Sequence, residues 1–199
     1  ALDLECREAG GRCRRAPSAD PAAILSGRMV VAYVGLGANL GPRRTTLRRA
    51  IAALGRVGRV SAVSSLWETA PLHVTEQPAF LNAVAALEVG DASPEELVRE
   101  LKRIEAELGR TPGPRYGPRA IDLDLLLLGG SRAEHVSEDV VVPHPRIAER
   151  RFVLEPLAEL APDELEPRSG RRVRELLGAV LGQDVRRVAD GEWWKTASS

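Results

Sequence analysis

The apolar residues of this chain recur with two different periods, and each period predicts a type of secondary structure. Residues 29–37, 59–67 and 80–89 are apolar or alternate between apolar and polar, which is typical of β-strands. Residues 42–54 and 94–108 carry apolar side chains three or four positions apart, which is the spacing of an amphipathic helix. The pattern therefore predicts a domain that mixes strands with helices.

Terminal signals support both helices. Gly41 and Pro42 suit the first turn of the first helix, and Gly55 ends it. The second helix opens with a capping box at residues 93–96 and closes at Gly109. The side chains that would face the core are Leu47, Ala50, Ile51 and Leu54 in the first helix and Leu97, Leu101, Ile104 and Leu108 in the second.

A further apolar run completes the element order. Residues 121–128 follow a Gly-Pro step and end at Gly129, and they predict one more buried strand. The order is then strand, helix, strand, strand, helix, strand. This order indicates an α+β fold with the ferredoxin-like βαββαβ arrangement, in which helices cover one face of an antiparallel sheet. The other face would stay open to hold a ligand.

We divide the chain into three parts. Residues 1–28 hold glycines, prolines and scattered charges without a period, so we expect a disordered N-terminal extension. Residues 29–165 would form the main domain, which includes a third apolar helix ending near Leu160. Residues 166–199 would add a peripheral C-terminal helix and a tail.

The composition says little about the fold, but it narrows the partners and the cellular location that we expect for the protein. The 28 basic residues equal the 28 acidic residues in number, so no overall field favours nucleic acid or a membrane surface as a partner. Cys6 and Cys13 both lie in the predicted extension, which excludes a disulfide scaffold for the main domain. No apolar stretch has the length of a membrane span. We therefore expect a soluble, cytoplasmic and monomeric protein.

Two aspartates at the start of the last strand mark a candidate site. Side chains alternate along a strand, so Asp122 and Asp124 would point the same way. Two carboxylates this close need a positive partner, either a divalent metal or the arginines just before them, Arg110, Arg115 and Arg119. Carboxylates favour Mg²⁺, which completes its shell with substrate phosphates. The simpler alternative is that both aspartates only cap the strand and pair with Arg115 and Arg119. With this many arginines, the chemistry indicates phosphoryl transfer.

Other segments carry candidate binding groups. Phe80 and Asn82 share one face of the third strand, and an aromatic ring beside an amide suits a flat heterocycle, although it is also compatible with ordinary sheet surface. The long segment 68–78 before them is typical of a functional loop. His144 lies between two prolines, and a rigidly held histidine can donate to a phosphate. The glycines of segment 35–41 match neither a dinucleotide nor a P-loop spacing and predict a structural turn.

Taken together, these motifs resemble one known enzyme family. They lie in residues 35–41, 77–82, 115–126 and 143–146, and the Arg-x-Gly-Pro-Arg-x-x-Asp-Leu-Asp run among them is specific. The chain resembles 6-hydroxymethyl-7,8-dihydropterin pyrophosphokinase of folate synthesis over about residues 29–165. That family has a ferredoxin-like fold and transfers the β,γ-pyrophosphate of ATP to the pterin hydroxymethyl group, releasing AMP.

The resemblance implies a role for each matched position, with ATP and the pterin as partners. Asp122 and Asp124 would hold two Mg²⁺ ions that bridge the ATP phosphates. This fits phosphoryl transfer, whose catalysis consists mostly of positioning and charge neutralisation. The implied catalytic residues are Arg110, Arg119, Asp122 and Asp124. The implied ATP-binding residues are Glu105, Arg110, Arg119, His144 and Arg150. The implied pterin-binding residues are Thr69, Pro71, Leu72, Phe80, Asn82 and Phe152.

Some positions depart from the family pattern. Tyr116 stands where the family often has tryptophan, Phe80 where it often has tyrosine, and Lys102 where it often has glutamine. The arginine loop, residues 110–119, is one residue shorter than in the best-known members, which leaves the role of Arg115 open.

Two other functions remain open on the residues alone. A two-metal nucleotidyltransferase would use the paired aspartates to attack the α-phosphorus and release pyrophosphate. A non-enzymatic ligand-binding module of the same fold is the second alternative, because fold does not fix function. The pair Phe80 and Asn82 has no obvious role in the first, and the scarcity of aromatic residues disfavours an RNA-binding form of the second.

Overall fold

A computed structural model describes residues 29–71, 76–114 and 117–195, which combine β-strands with α-helices. The predicted extension, with both cysteines, lies outside the described residues. The strands are β1 (Val30–Ala38), β2 (Arg59–Val63), β3 (Leu66–Thr69), β4 (Phe80–Val89), β5 (Asp122–Leu128), β6 (His135–Val136), β7 (Val141–Val142), β8 (Leu165–Glu166), β9 (Arg171–Arg172) and β10 (Arg186–Ala189). The helices are α1 (Arg43–Leu54), α2 (Pro94–Glu107), α3 (Arg151–Leu160) and α4 (Val173–Gly178), with a 3₁₀ turn at Ile147–Glu149.

Antiparallel pairing organises the main sheet, whose strands follow the order β10, β3, β4, β1, β5 in the described residues. β2 also pairs with β4, so β2 and β3 lie in succession along the same neighbour. The predicted strand over residues 59–67 is therefore two strands separated by Ser64 and Ser65. The Ser64 hydroxyl accepts the backbone N–H of Val84 at 2.9 Å, so the break leaves this N–H of β4 satisfied.

Both predicted helices form with the predicted ends. α1 buries Leu47, Ala50, Ile51 and Leu54. At the start of α2 the Ser93 hydroxyl accepts the Glu96 N–H at 3.2 Å, and the Glu96 carboxylate accepts the Ser93 N–H at 2.8 Å. This reciprocal pair is the capping box that the sequence predicts. Among the described residues no helix combines the length and the apolar character needed to cross a membrane.

Helices cover both faces of the sheet, which corrects the expectation of one open face. α1 and α2 bury the face that carries Leu36, Leu87 and Leu123. On the opposite face α3 and α4 pack on Val84 and Ala86. The physical reason lies in β4, which is apolar on both faces, so both faces gain from burial. On this second face, only the part of the sheet that lies past the N-terminal end of α3 is left uncovered by helices.

The C-terminal segment, predicted as a peripheral helix and tail, adds a strand to the sheet and a side chain to the core. β10 pairs with β3, and Trp193 is only 5% exposed. The Trp193 indole N–H donates to the Ser64 carbonyl at 2.9 Å, and the Arg48 guanidinium donates to the Trp193 carbonyl at 2.8 Å. A large ring buries much apolar surface, and its N–H finds a buried acceptor. The pairing of β8 with β9 also crosses the predicted boundary at residue 165.

Candidate active site

Three neighbouring strands form the floor of the candidate site. Gly37 of β1 lies opposite Asn82 of β4 and Asp122 of β5, and Gly35 lies opposite Asp124. A Cβ atom added to Gly37 would approach Asn82 Oδ1 to 3.2 Å. Both glycines lie inside β1, so the strand predicted over residues 29–37 is confirmed there, and the predicted turn begins only after Asn39. The missing side chain of Gly37 leaves space between the Asn82 amide and Asp122, whereas a Cβ on Gly35 would meet the Leu126 side chain at 3.2 Å.

A cleft of about 320 Å³ occupies this space. One end is lined by a hydroxyl, an amide and two aromatic rings, and the other end by carboxylates and cationic or imidazole side chains. The first group is Thr69, Asn82, Phe80 and Phe152. The second group is Lys102, Arg110, Arg119, Asp122, Asp124, His144, Arg146 and Arg150. The structure thus brings together ten of the predicted site residues.

Three predicted site positions fall elsewhere. Pro71 is described but does not line the cleft. Leu72 lies outside the described residues, as do Arg115 and Tyr116 of the arginine loop. Glu105 does not line the cleft; it lies beneath it, with a side chain that is only 2% exposed.

The amide at the aromatic end has a fixed orientation. Asn82 is 5% exposed, and its Nδ2 donates to Thr69 Oγ1 at 3.0 Å. Oδ1 is then the acceptor that faces the space above Gly37. Phe80 lies opposite Thr69 in the pairing of β3 with β4. An N–H edge of a flat ligand would find an acceptor here with aromatic surface beside it.

At the charged end, arginines hold one of the two aspartates. Arg110 Nη1 lies 2.5 Å from Asp122 Oδ1, and Arg119 Nη1 lies 2.8 Å from Asp122 Oδ2. This pairing resembles the simpler alternative drawn from the sequence, with Arg110 as a partner. Burial acts to lower the pKa of Arg110, but the carboxylates of Asp122 and Glu105 keep it above its ordinary value. The side chains that line this end of the cleft comprise five basic groups against the two aspartates, so the end carries a net positive charge.

Glu105 organises this cluster from below. Its Oε1 accepts the Leu123 N–H at 2.6 Å and lies 3.1 Å from Lys102 Nζ, and it also pairs with Arg110. Burial raises the pKa of Glu105, and Lys102, the Leu123 N–H and Arg110 oppose that rise. Its contacts join the end of α2 to the start of β5, which places Arg110 above Asp122. Glu105 thus lies under Arg110 with its carboxylate buried, and its implied part in holding the nucleotide stays a prediction.

His144 is held as a neutral ring at the edge of the cleft. Its backbone N–H donates to the Leu126 carbonyl at 2.8 Å, and its Nδ1 accepts the Arg146 N–H at 3.1 Å. Burial lowers the pKa of His144, with Asp124 acting against the shift. The neutral ring therefore carries its proton on Nε2, which is the nitrogen left to donate to a ligand.

Asn39 has a role that the sequence did not indicate. It is 1% exposed, and its Oδ1 accepts the Arg119 N–H at 2.7 Å. Its Nδ2 donates to Gln77 Oε1 at 2.9 Å and to the Pro78 carbonyl at 3.2 Å. One buried amide thus joins the end of β1 to two loop segments at the mouth of the cleft. The only signal in the sequence was an asparagine in a glycine-rich stretch, which predicts a turn.

The donor set fits a magnesium ion that a bound polyphosphate helps to hold. Mg²⁺ is usually bound by one or two carboxylates, with phosphates and waters as its other ligands. Asp122 and Asp124 supply two carboxylates on one face of β5, opposite Gly37 and Gly35 of β1. Within the described ranges no three His, Cys, Asp or Glu side chains group closely enough to hold an ion by themselves. A bound cation would compete with Arg110 and Arg119 for Asp122.

Paired carboxylates and guanidinium groups at one end of a cleft, with an amide and aromatic rings at the other, are typical of an enzyme that brings a polyphosphate to a flat heterocycle. The chain belongs to the 7,8-dihydro-6-hydroxymethylpterin-pyrophosphokinase family, whose model matches residues 33–162. The resemblance drawn from the motifs is thereby confirmed.

Relatives of known name agree with this family. The chain is 45% identical over 132 residues to the 2-amino-4-hydroxy-6-hydroxymethyldihydropteridine pyrophosphokinase of Bacillus subtilis, covering 65% of this chain and 77% of the relative. It is 47% identical over 128 residues to the mitochondrial folate synthesis bifunctional protein of Arabidopsis thaliana, covering 64% of this chain and 23% of the relative. The match therefore spans less than a quarter of that bifunctional relative.

Solved structures show the same fold at low sequence identity. The wild-type HPPK-DHPS protein of Plasmodium falciparum superposes with a TM-score of 0.59 at 13% identity. The superposition covers 76% of this chain and 45% of that chain. At this identity the likeness concerns the fold alone.

Proposed function

We propose that this chain transfers the β,γ-pyrophosphate of ATP to the hydroxymethyl group of 6-hydroxymethyl-7,8-dihydropterin, giving AMP and the pterin diphosphate in folate biosynthesis. The observation that carries the proposal is the strand register, which gathers Asn82, Asp122 and Asp124 around Gly35 and Gly37. A group that can recognise a heterocycle thus lies beside groups that can hold a metal and phosphates. The reaction needs this proximity between acceptor and donor.

The aromatic end of the cleft would bind the pterin. Asn82 Oδ1 would accept a ring N–H, with its amide held by Thr69. Phe80 and Phe152 would pack against the ring, and the Arg150 guanidinium lies 5.5 Å from the centre of the Phe152 ring. The assignments of Pro71 and Leu72 to this end stay predictions.

The charged end would bind the polyphosphate. Arg110 and Arg119 would move from Asp122 to phosphate oxygens, exchanging one anionic partner for another. His144 would donate its Nε2 proton to an oxygen of the nucleotide. When bound by Asp122 and Asp124, Mg²⁺ would neutralise charge on the transferred group and polarise it. The ion pair with Glu105 would keep the Arg110 guanidinium within reach of both Asp122 and the phosphate oxygens.

The same proposal includes finer features of the fold and setting. With β2 and β3 counted as one strand, the order β2/β3, β4, β1, β5 supports the ferredoxin-like arrangement. In that arrangement β10 and α4 are additions. The count of two magnesium ions, the monomeric state and the cytoplasmic location stay predictions.

The test measures the nucleotide formed from ATP and Mg²⁺, with and without the reduced pterin. We expect AMP that depends on the pterin and equals the pterin diphosphate in amount, without free pyrophosphate. Release of pyrophosphate would instead establish nucleotidyl transfer, and ADP would establish a simple kinase. No turnover in a protein that binds the pterin would reject the enzyme and leave a binding module.

Variants of the two aspartates connect the activity to the cleft. Asp122→Asn and Asp124→Asn should each lower kcat by about a hundredfold or more, because each removes a charged ligand of the metal that holds the phosphates. The matched control is Asp139→Asn, which removes an exposed carboxylate from the turn between β6 and β7. Circular dichroism and thermal unfolding would verify the fold of each variant. Full activity in both aspartate variants would contradict the metal assignment.

A further inference from the structure

Arg168 lies beyond the segment matched by the family model, yet its guanidinium contacts the segment that carries His144. Its Nη2 donates to the Pro143 carbonyl at 2.6 Å, and its Nη1 donates to the Pro145 carbonyl at 3.3 Å. Its Nε pairs with the carboxylate of Glu134, just before β6. One guanidinium thus binds the carbonyl groups on both sides of His144.

The turn that presents Arg168 is itself fixed. Glu166 is 2% exposed, and its carboxylate accepts the Arg168 N–H at 3.1 Å and the Ser169 N–H at 2.8 Å. The same carboxylate accepts the Ser169 hydroxyl at 2.7 Å. A buried carboxylate with three donors holds its turn firmly. The Arg168 side chain therefore extends from a defined backbone and not from a loose loop.

His144 is bound from the opposite side by the sheet. Its N–H donates to Leu126 of β5, and its carbonyl accepts the Ile147 N–H at 3.0 Å. The segment is thus held between β5 and the guanidinium of Arg168. We propose that Arg168 is a positioning residue for the reaction, which holds the Pro143–Pro145 segment so that Nε2 of His144 donates into the nucleotide end of the cleft. This inference rests on the proposed function of the same cleft.

The chemistry of the side chain explains why an arginine stands here. A guanidinium carries donors in a rigid planar fork and can bind two carbonyls and one carboxylate at the same time. A lysine ammonium on its flexible stem would satisfy only part of this set. Without the fork, the His144 segment keeps its contact with β5 but loses its restraint on the other side. Even a small shift of the imidazole would weaken its hydrogen bond to the nucleotide considerably.

The decisive experiment is a double-mutant cycle on nucleotide binding. Calorimetry would give the Kd of a non-hydrolysable ATP analogue with Mg²⁺ for the wild type, Arg168→Met, His144→Ala and the double variant. We expect Arg168→Met to raise the Kd about fivefold or more in the wild-type background and less than about twofold in the His144→Ala background. Equal effects in both backgrounds would overturn the proposal, because Arg168 would then act independently of His144.

A second measurement observes the imidazole directly. The chain holds only 3 histidines, so ¹⁵N spectra of the side chains are simple, and His144→Ala assigns the signal of interest. Arg168→Met should change the tautomer balance of His144 or broaden its signals while the other two histidines keep theirs. Unchanged His144 signals would overturn the proposal even if the protein were less stable. Arg168→Lys should give an intermediate Kd.

Arg171→Met is the matched control on the same hairpin. Its guanidinium donates to the Glu175 carbonyl at 2.8 Å and not to the His144 segment. We expect its Kd and its His144 signals to equal those of the wild type, and a loss as large as that of Arg168→Met would overturn the proposal. These measurements need no turnover. A failed product assay on the wild type would therefore reject the proposed function separately.

Discussion

A Cβ atom on Gly37 would lie 3.2 Å from Asn82 Oδ1, closer than ordinary van der Waals contact. Asn82 cannot yield freely, because its Nδ2 is bonded to Thr69 Oγ1 in a buried site. The gap between this glycine and this amide therefore sets the space at the aromatic end of the cleft. A residue without a side chain at position 37 is part of the binding geometry.

Gly37→Ala should selectively weaken pterin binding. The added methyl group fills the space in front of Asn82 Oδ1, so we expect the Kd of the pterin to rise about tenfold or more. Binding of a magnesium–ATP analogue should weaken less, since the added methyl group would lie 3.2 Å from Asn82 Oδ1 but 4.0 Å from Asp122 Cβ, which is ordinary contact. Calorimetry with each ligand measures both values.

The control for this variant is Gly178→Ala, where a Cβ atom meets nothing within 4 Å. It should bind both ligands as the wild type does. Equal losses for pterin and nucleotide in Gly37→Ala would contradict the assignment of the two ends.

Glu105→Ala should destabilise the protein. The substitution leaves the buried Leu123 N–H without its acceptor and removes the carboxylate that pairs with Lys102 and Arg110. We expect the free energy of unfolding to fall by about 2–3 kcal/mol, measured by urea denaturation. We also expect weaker nucleotide binding, because Arg110 loses the anchor that places it.

The exposed pair of Glu100 with Arg103, 3.3 Å apart, provides the comparison for Glu105. Glu100→Ala should change the free energy of unfolding by less than about 0.5 kcal/mol, as is usual for surface ion pairs. A loss at Glu105 no larger than the loss at Glu100 would show that the buried contacts do not hold the cluster.

Features with local signals could be predicted from the sequence. The capping box of α2 lies within four consecutive residues, and β4 begins at Phe80 and ends at Val89 as predicted. The two aspartates could be assigned to one face because strand alternation is a short-range rule. The family motifs are also contiguous, so they located the cleft residues without knowledge of the fold.

Features that depend on distant contacts could not be predicted. Arg48 and Trp193 are separated by 145 positions, and no periodicity in the sequence relates them. Asn39 and Arg168 act through backbone groups of other segments, which leaves no pattern of side chains to recognise. Glu105 lies beside the apolar stripe of α2, and only the packing of that helix on β5 decides its burial.

Trp193→Ala should show that the C-terminal segment belongs to the folded unit. Removing a buried indole and its bond to Ser64 should lower the free energy of unfolding by about 3–5 kcal/mol. Leu181→Ala is the control, because Leu181 is 55% exposed, and it should cost less than about 0.5 kcal/mol. A small effect of Trp193→Ala on urea denaturation would mean that this segment frays independently of the sheet.

The last prediction concerns pH and His144 in metal-free protein. Burial lowers the pKa of His144 in the folded state, whereas a histidine in the unfolded chain has a pKa of about 6.5. As the pH falls from about 7 to 5.5, the unfolded chain therefore binds a proton that the folded chain resists, and the stability of the wild type decreases. The raised pKa of Glu105 acts in the opposite direction, but it is common to all the variants and cancels in the comparison.

His144→Gln should remove this contribution, so its free energy of unfolding should depend less on pH over that range than the wild-type value does. Urea denaturation at several pH values in the presence of a chelator measures the difference. His135→Gln is the control: its ring pairs with Glu95 at the surface, 2.6 Å away, and the variant should keep the His144 contribution. Identical pH dependence in wild type and His144→Gln would mean that the ring is protonated as easily folded as unfolded. The proposal that His144 presents a neutral Nε2 donor at the charged end of the cleft would then have no support.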